Sequence, residues 1–155
     1  RRGEVPMTTL SRSPLDLTAL RNALSQLDRA LEFYDKAAQE GQDELAEQLR
    51  AACIQAFEFT YELSWKMLRR YGALTEPDPQ EVKSLPFPDL IRWGCERGLV
   101  LSDWTAWMAY REARGTTSHT YDGTKAQAVF AVIPAFRDEA RFLLARLEER
   151  TAWST

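Results

Sequence analysis

The chain is poor in the residues that build most catalytic and metal centres. It has one histidine, His119, and two cysteines, Cys53 and Cys95, among 155 residues. The cysteines stand in helix-like sequence without CxxC spacing, which favours buried reduced thiols in a reducing compartment over a disulfide or a metal site. No residue set calls for a metal or an organic cofactor. Positive charge is in deficit as well: 20 Lys and Arg against 23 Asp and Glu give −3. No global field draws such a molecule onto nucleic acid, and any RNA contact must be local. No apolar run approaches the roughly 18 residues of a membrane span, and no signal-peptide core opens the sequence. A cytoplasmic location, away from any membrane, is expected.

What is present is ordinary globular material, 45% hydrophobic and 28% charged, in a length that suits one domain burying roughly 70% of its unfolded surface. Residues 1–16 carry no apolar period and are expected to be a disordered or vector-derived tail; residues 17–150 form the domain. From Leu17, the positions Leu20, Leu24, Leu27, Leu31 and Tyr34 predict a helix that Asp16 or Thr18 could cap. Gln39 to Asp43, with its glycine, predicts a turn. Glu44 to Tyr71 then holds neither Gly nor Pro and bears two adjoining apolar stripes, the longest element, stopped by Gly72 as a C-cap. Pro77, Pro79, Pro86 and Pro88 mark a loop. A short helix from Pro88 to about Arg97 ends at Gly98, and Ser102 or Asp103 opens another through Trp104, Trp107 and Arg111.

That helix is expected to weaken at Gly115-Thr116-Thr117, since glycine and β-branched residues form helix poorly. The last helix, Thr124 to Arg150, repeats Ala126, Val129, Ile133, Phe136, Ala140, Leu143 and Leu147, with a kink expected at Pro134. No strand pattern competes. Four long helices and a short one predict an all-α fold, an antiparallel up-and-down bundle.

The segment that could carry chemistry is Arg114-Gly-Thr-Thr-Ser-His119-Thr-Tyr121. His119 is the one side chain whose ordinary pKa lies near neutrality. A permanent cation, Arg114, five residues before it suits phosphodiester cleavage, in which charge builds on phosphate oxygens while protons move at the 2′-hydroxyl and the leaving oxygen. Arg111 and Lys125 flank the pair. Ser118 and the neighbouring threonines add hydroxyls, and Tyr121 offers a phenol that could orient phosphate or accept a modification. On spacing alone the plainer account is preferred, in which Ser and Thr cap a helix end and His119 with Tyr121 satisfy a turn. Trp65, Trp93, Trp104 and Trp107 fall at helical spacing and read as core or dimer packing rather than base stacking. Glu58 and Glu62, i and i+4, lack a second Glu-x-x-His helix to make a metal pair with, and read as a solvated face or partner contact.

The pattern Arg114-x4-His119-x-Tyr121 resembles the signature of HEPN proteins. The likeness runs from about Leu17 to Leu147: Gln55-Ala-Phe-Glu-Phe-Thr-Tyr-Glu-Leu-Ser-Trp-Lys66 and Thr117-Ser-His-Thr-Tyr-Asp122 are similar to the nucleotidyltransferase substrate-binding branch, which includes the HepT-like toxins. The resemblance implies a helical-bundle homodimer paired with a minimal nucleotidyltransferase antitoxin. It implies a metal-independent endoribonuclease in which Arg114 and His119 are catalytic and Tyr121 is the residue adenylylated to silence it. The alternative is a non-catalytic substrate-binding subunit of a nucleotidyltransferase complex. One departure is Gly115, where the branch commonly has Asn after the motif arginine.

Overall fold

The computed structural model describes residues 15–152; the tail expected over 1–16 falls almost wholly outside the described residues. Leu15 already packs into the core, so the folded region begins ahead of the boundary expected at 17. Among the described residues there are six helices and no strand: α1 (Thr18–Gln39), α2 (Asp43–Thr75), α3 (Pro79–Lys83), α4 (Phe87–Glu96), α5 (Trp104–Thr116) and α6 (Gly123–Arg150). A 3-10 turn, Thr117–His119, joins α5 to α6. The all-α bundle expected from periodicity is the fold found.

Local chemistry explains the boundaries. The Thr18 amide donates to Asp16 Oδ1 at 3.0 Å, which starts α1. Gly41 takes φ +71°, and the Gln42 amide returns to the Ala37 carbonyl at 2.9 Å, closing α1 with a left-handed residue that only glycine adopts freely. The chain reverses there and α2 packs back along α1. Asp103 and Asp122 cap α5 and α6 by accepting from the amides of Thr105 and Thr124.

The core gathers on Phe136 of α6, fully buried. Phe57 of α2 meets its ring edge-on at 5.2 Å, Tyr110 of α5 at 5.2 Å, and Trp107 at 6.1 Å. Three helices thus share one aromatic centre, an arrangement worth roughly 0.5–1.5 kcal/mol per pair beyond area burial. Around it lie the apolar positions read from the sequence, Leu20, Leu24, Leu27 and Leu31 on α1 and Val129, Ile133, Ala140, Leu143 and Leu147 on α6. Both cysteines are free thiols, and burial pushes that of Cys53 up to about 11.

Two elements differ from expectation. α2 does not stop at Gly72 but runs to Thr75. Gly72 is there for close packing: a Cβ on it would lie 2.6 Å from Val82 Cγ1 and 2.9 Å from the Trp93 ring. The proline-marked loop contains α3, begun by Asp78 accepting from the Gln80 amide with Pro79 in the first turn, where its missing N–H costs nothing. α5 ends at Thr116 and gives way to the 3-10 turn from Thr117, within the Gly115-Thr116-Thr117 stretch where weakening is expected. Pro134 lies inside an unbroken α6, on its exposed side.

The buried carboxylate of Glu139 has no counterpart in the periodicity argument. It accepts from the amides of Leu101 at 2.7 Å and Ser102 at 3.1 Å, tying the turn before α5 to α6. No helix among the described residues is long and apolar enough to cross a membrane.

Two glycine substitutions separate these roles. Gly72→Ala must push Val82 and Trp93 aside and is expected to cost about 1–3 kcal/mol. Gly115→Ala, whose Cβ would meet nothing within 4 Å inside a helix, is expected to stabilise by about 0.5–1 kcal/mol. Urea midpoints of the two variants check both signs.

Candidate functional site

The motif occupies the corner between α5 and α6, and the Asp122 cap at the start of α6 fixes its far end. Arg114 lies in the last turn of α5, His119 closes the 3-10 turn, and Tyr121 stands just before the Asp122 cap. Thr117, buried at the turn's start, is the hinge of the arrangement.

The Arg114 guanidinium turns inward onto α2. Its Nε donates to Glu62 Oε2 at 3.2 Å, and its Nη1 lies 3.2 Å from Glu58 Oε2 and 3.2 Å from Thr117 Oγ1. Thr117 Oγ1 has one proton and two acceptors in reach, Glu58 Oε2 at 2.7 Å and the Arg114 carbonyl at 2.9 Å. The shorter, charge-assisted bond to Glu58 is favoured. These contacts engage Nε and Nη1 of Arg114; Nη2 makes no hydrogen bond among the described residues.

The correction here concerns Glu58 and Glu62. They are not a solvated face: both carboxylates are about one-third exposed and receive Arg114 from the neighbouring helix. Their i, i+4 spacing on the longest helix was the available signal, since it puts both acids on one side, ready for a cation across the bundle.

His119 points the other way. It is exposed, makes no side-chain hydrogen bond among the described residues, and meets the Tyr121 ring edge-on at 6.2 Å with an interplanar angle of 74°. Tyr121 is 86% exposed, far more than an aromatic side chain that serves packing. Beside it runs a groove of about 340 Å³ walled by Glu47, Arg50 and Ile54 of α2 and by Thr120. Ser118 is exposed on the same turn. Arg111 is drawn aside, its guanidinium 5.4 Å from the centre of the Phe87 ring. Burial pushes the Tyr61 phenol up to about 12; Arg111 and Arg114 oppose that rise while Glu62 adds to it, so both arginines lie near this ring.

The structure therefore brings His119 to Tyr121 and Arg114 to Thr117, Glu58 and Glu62. Among the described residues no direct Arg114–His119 contact is found, although one short turn carries both. A cation fixed in place, an accessible imidazole and an accessible phenol share this corner. That set can stabilise charge on a phosphate, transfer a proton, and accept an acyl or phosphoryl group on oxygen. No group of three or more His, Cys, Asp and Glu among the described residues is arranged to hold a metal ion.

Comparison with known proteins bears on the family and the fold. The family described as nucleotidyltransferase substrate binding protein like matches residues 15–149. A Haemophilus influenzae protein described as a probable ribonuclease HepT is 42% identical over 105 residues, spanning 68% of this chain and 71% of that protein. A solved Haemophilus influenzae structure, described as revealing the fold of a substrate binding domain of a nucleotidyltransferase, aligns with a TM-score of 0.79 at 35% identity. It covers 86% of this chain and 99% of its own.

Glu58→Ala removes an Arg114 partner and the Thr117 acceptor together, leaving a half-buried cation under-paired, and is expected to cost about 1–3 kcal/mol. Glu112→Ala, on the exposed side of α5, should stay within about 0.5 kcal/mol. Chemical denaturation of both variants measures the difference.

Proposed function

The chain belongs to the nucleotidyltransferase substrate binding protein like family, and we propose that it is a HEPN-type, metal-independent endoribonuclease toxin silenced by a minimal nucleotidyltransferase. The observation that carries this reading is the corner itself, where Arg114 is braced by two carboxylates while His119 and Tyr121 face solvent. The likeness to a probable ribonuclease supports it.

In this reading single-stranded RNA lies against the α5–α6 corner with its phosphate at Arg114 Nη2. His119 takes the 2′-hydroxyl proton, or delivers one to the leaving 5′-oxygen, as the 2′-oxygen attacks phosphorus. Arg114 answers the charge that develops on the non-bridging oxygens. Glu58 and Glu62 hold the guanidinium in one orientation, so it need not reorganise when that charge appears. Ser118 and Arg111 border the site.

Silencing falls on Tyr121. Its phenolic oxygen would attack the α-phosphorus of ATP bound to the nucleotidyltransferase, with pyrophosphate leaving and the phenolic proton passing to the partner or to solvent. The exposed hydroxyl and the groove beside it leave room for the added adenylate. An adenylate attached two residues from His119 would block the RNA path sterically and repel its phosphates.

The chain acts as a homodimer in this proposal. Phe33, Leu45 and Phe59 are each about half exposed on the α1–α2 face, lining two adjoining grooves of about 410 and 330 Å³. On α2 this stripe lies roughly 100–180° around the helix from Glu58, on the side away from the groove beside Tyr121. Phe33→Asp with Phe59→Asp should convert dimer to monomer in light scattering without loss of helicity.

A non-catalytic substrate-binding subunit is the second reading, favoured by one observation: Arg114 is already matched by two carboxylates, which lowers the positive potential a phosphate would meet. Purified protein incubated with a panel of RNAs in EDTA decides between them. The ribonuclease predicts cleavage that His119→Ala reduces at least 100-fold while adenylylation and dimerisation persist; a binding subunit predicts no cleavage by either protein.

A further inference from the structure

Beyond the motif corner, α2, α4 and α5 present a run of aromatic rings overlaid by cations. Trp65 of α2 meets Phe87 of α4 edge-on at 6.0 Å, and Phe87 meets Trp104 of α5 at 5.7 Å. All three are only partly buried. Over Trp65 lie Lys66 Nζ and the Arg69 guanidinium, each 5.7 Å from the ring centre, and over Phe87 lies Arg111 at 5.4 Å.

This run connects to the candidate site through α2. Lys66 is one turn beyond Glu62 and within 3.9 Å of it, and Glu62 receives Arg114. Arg69 is committed to the fold, since its Nη1 faces the carbonyls of Val82, Lys83 and Leu85 at 2.8–3.1 Å. It still contributes its charge. Lys66 and Arg111 are different, both exposed and with their cations over ring faces.

We infer that this face is a binding track for single-stranded RNA leading to the α5–α6 corner, with Lys66 and Arg111 pairing phosphates and Trp65, Phe87 and Trp104 offering surfaces to bases. Alternating cations and aromatic rings suit single strands, because every base has a stackable face and every linkage a charge. Charge argues for a polyanion: the chain carries −3 overall, yet Lys66, Arg69, Arg111 and Arg114 converge here, with Glu58 and Glu62 paired to Arg114 and Glu62 also 3.9 Å from Lys66. The Trp65 and Trp104 positions, expected to be packing residues only, are partly exposed as well as packed against Phe87. The inference rests on the ribonuclease reading for what happens at the corner, but not for the binding itself.

The test is fluorescence anisotropy of a fluorescein-labelled 20-nucleotide uridine RNA in EDTA, using the full chain with His119→Ala so that nothing is cut. Lys66→Glu with Arg111→Glu should weaken binding at least tenfold and lower the salt slope by about 1.4, roughly 0.7 for each lost phosphate contact. The charge-matched pair Arg21→Glu with Arg141→Glu, on α1 and α6, should change affinity less than twofold. Equal losses in both pairs, no loss in the first, or no RNA binding by the parent overturns the track. Cleavage by the unmodified chain is scored separately. RNA binding that depends on Lys66 and Arg111 without cleavage sinks the ribonuclease reading and keeps the track, whereas cleavage with binding indifferent to those residues does the reverse.

Discussion

The ion-paired bridge from Arg114 to Glu58 and Glu62 is the constraint on which the rest of the candidate site depends. It joins the end of α5 to the middle of the longest helix and includes Thr117, the first residue of the turn that carries His119. Each contact alone, at one-third exposure, is worth about 1 kcal/mol or less. Together they tie the turn to α2 by polar contacts, with Thr117 Oγ1 and the Arg114 guanidinium both reaching Glu58. The same bridge fixes the guanidinium, so the residues that order the corner also prepare its cation.

The division of labour within the motif follows. Arg114 and Thr117 face the bundle and are satisfied by it; Ser118, His119 and Tyr121 face water. A turn that served only to cap a helix would gain nothing from exposing its histidine and tyrosine, and it would have no need of two acids from another helix. An accessible imidazole one short turn from a braced guanidinium supplies the two groups that the proposed phosphodiester chemistry would use.

Much of the fold was legible because periodicity reports burial directly. The leucines of α1 and the apolar heptad-like run of α6 fall where their spacing put them, and the glycine turns at Gly41 and Gly98 end helices as expected. What sequence could not convey was identity of neighbours. Gly72 reads locally as a helix stop, and only the nearness of Val82 and Trp93 reveals a contact glycine. The five residues of α3 hide among prolines because a single Asp78 cap outweighs their irregular composition. Glu139 looks like any charged residue of an amphipathic helix until two loop amides are found on it. At the candidate site, Arg114, His119 and Tyr121 were visible as a pattern, whereas Glu58 and Glu62 lie more than fifty positions away and acquire their meaning from the cation that faces them.

Because His119 is the chain's one histidine, its imidazole protons give an isolated signal by which to test whether Arg114 and His119 serve one ligand. The decisive measurement is the NMR shift of that signal on adding an uncleavable RNA analogue lacking the attacking 2′-hydroxyl. The account predicts a saturable shift in the unmodified chain that disappears in a folded Arg114→Ala variant. A shift of the same size in both proteins, or none in either, would contradict a shared site.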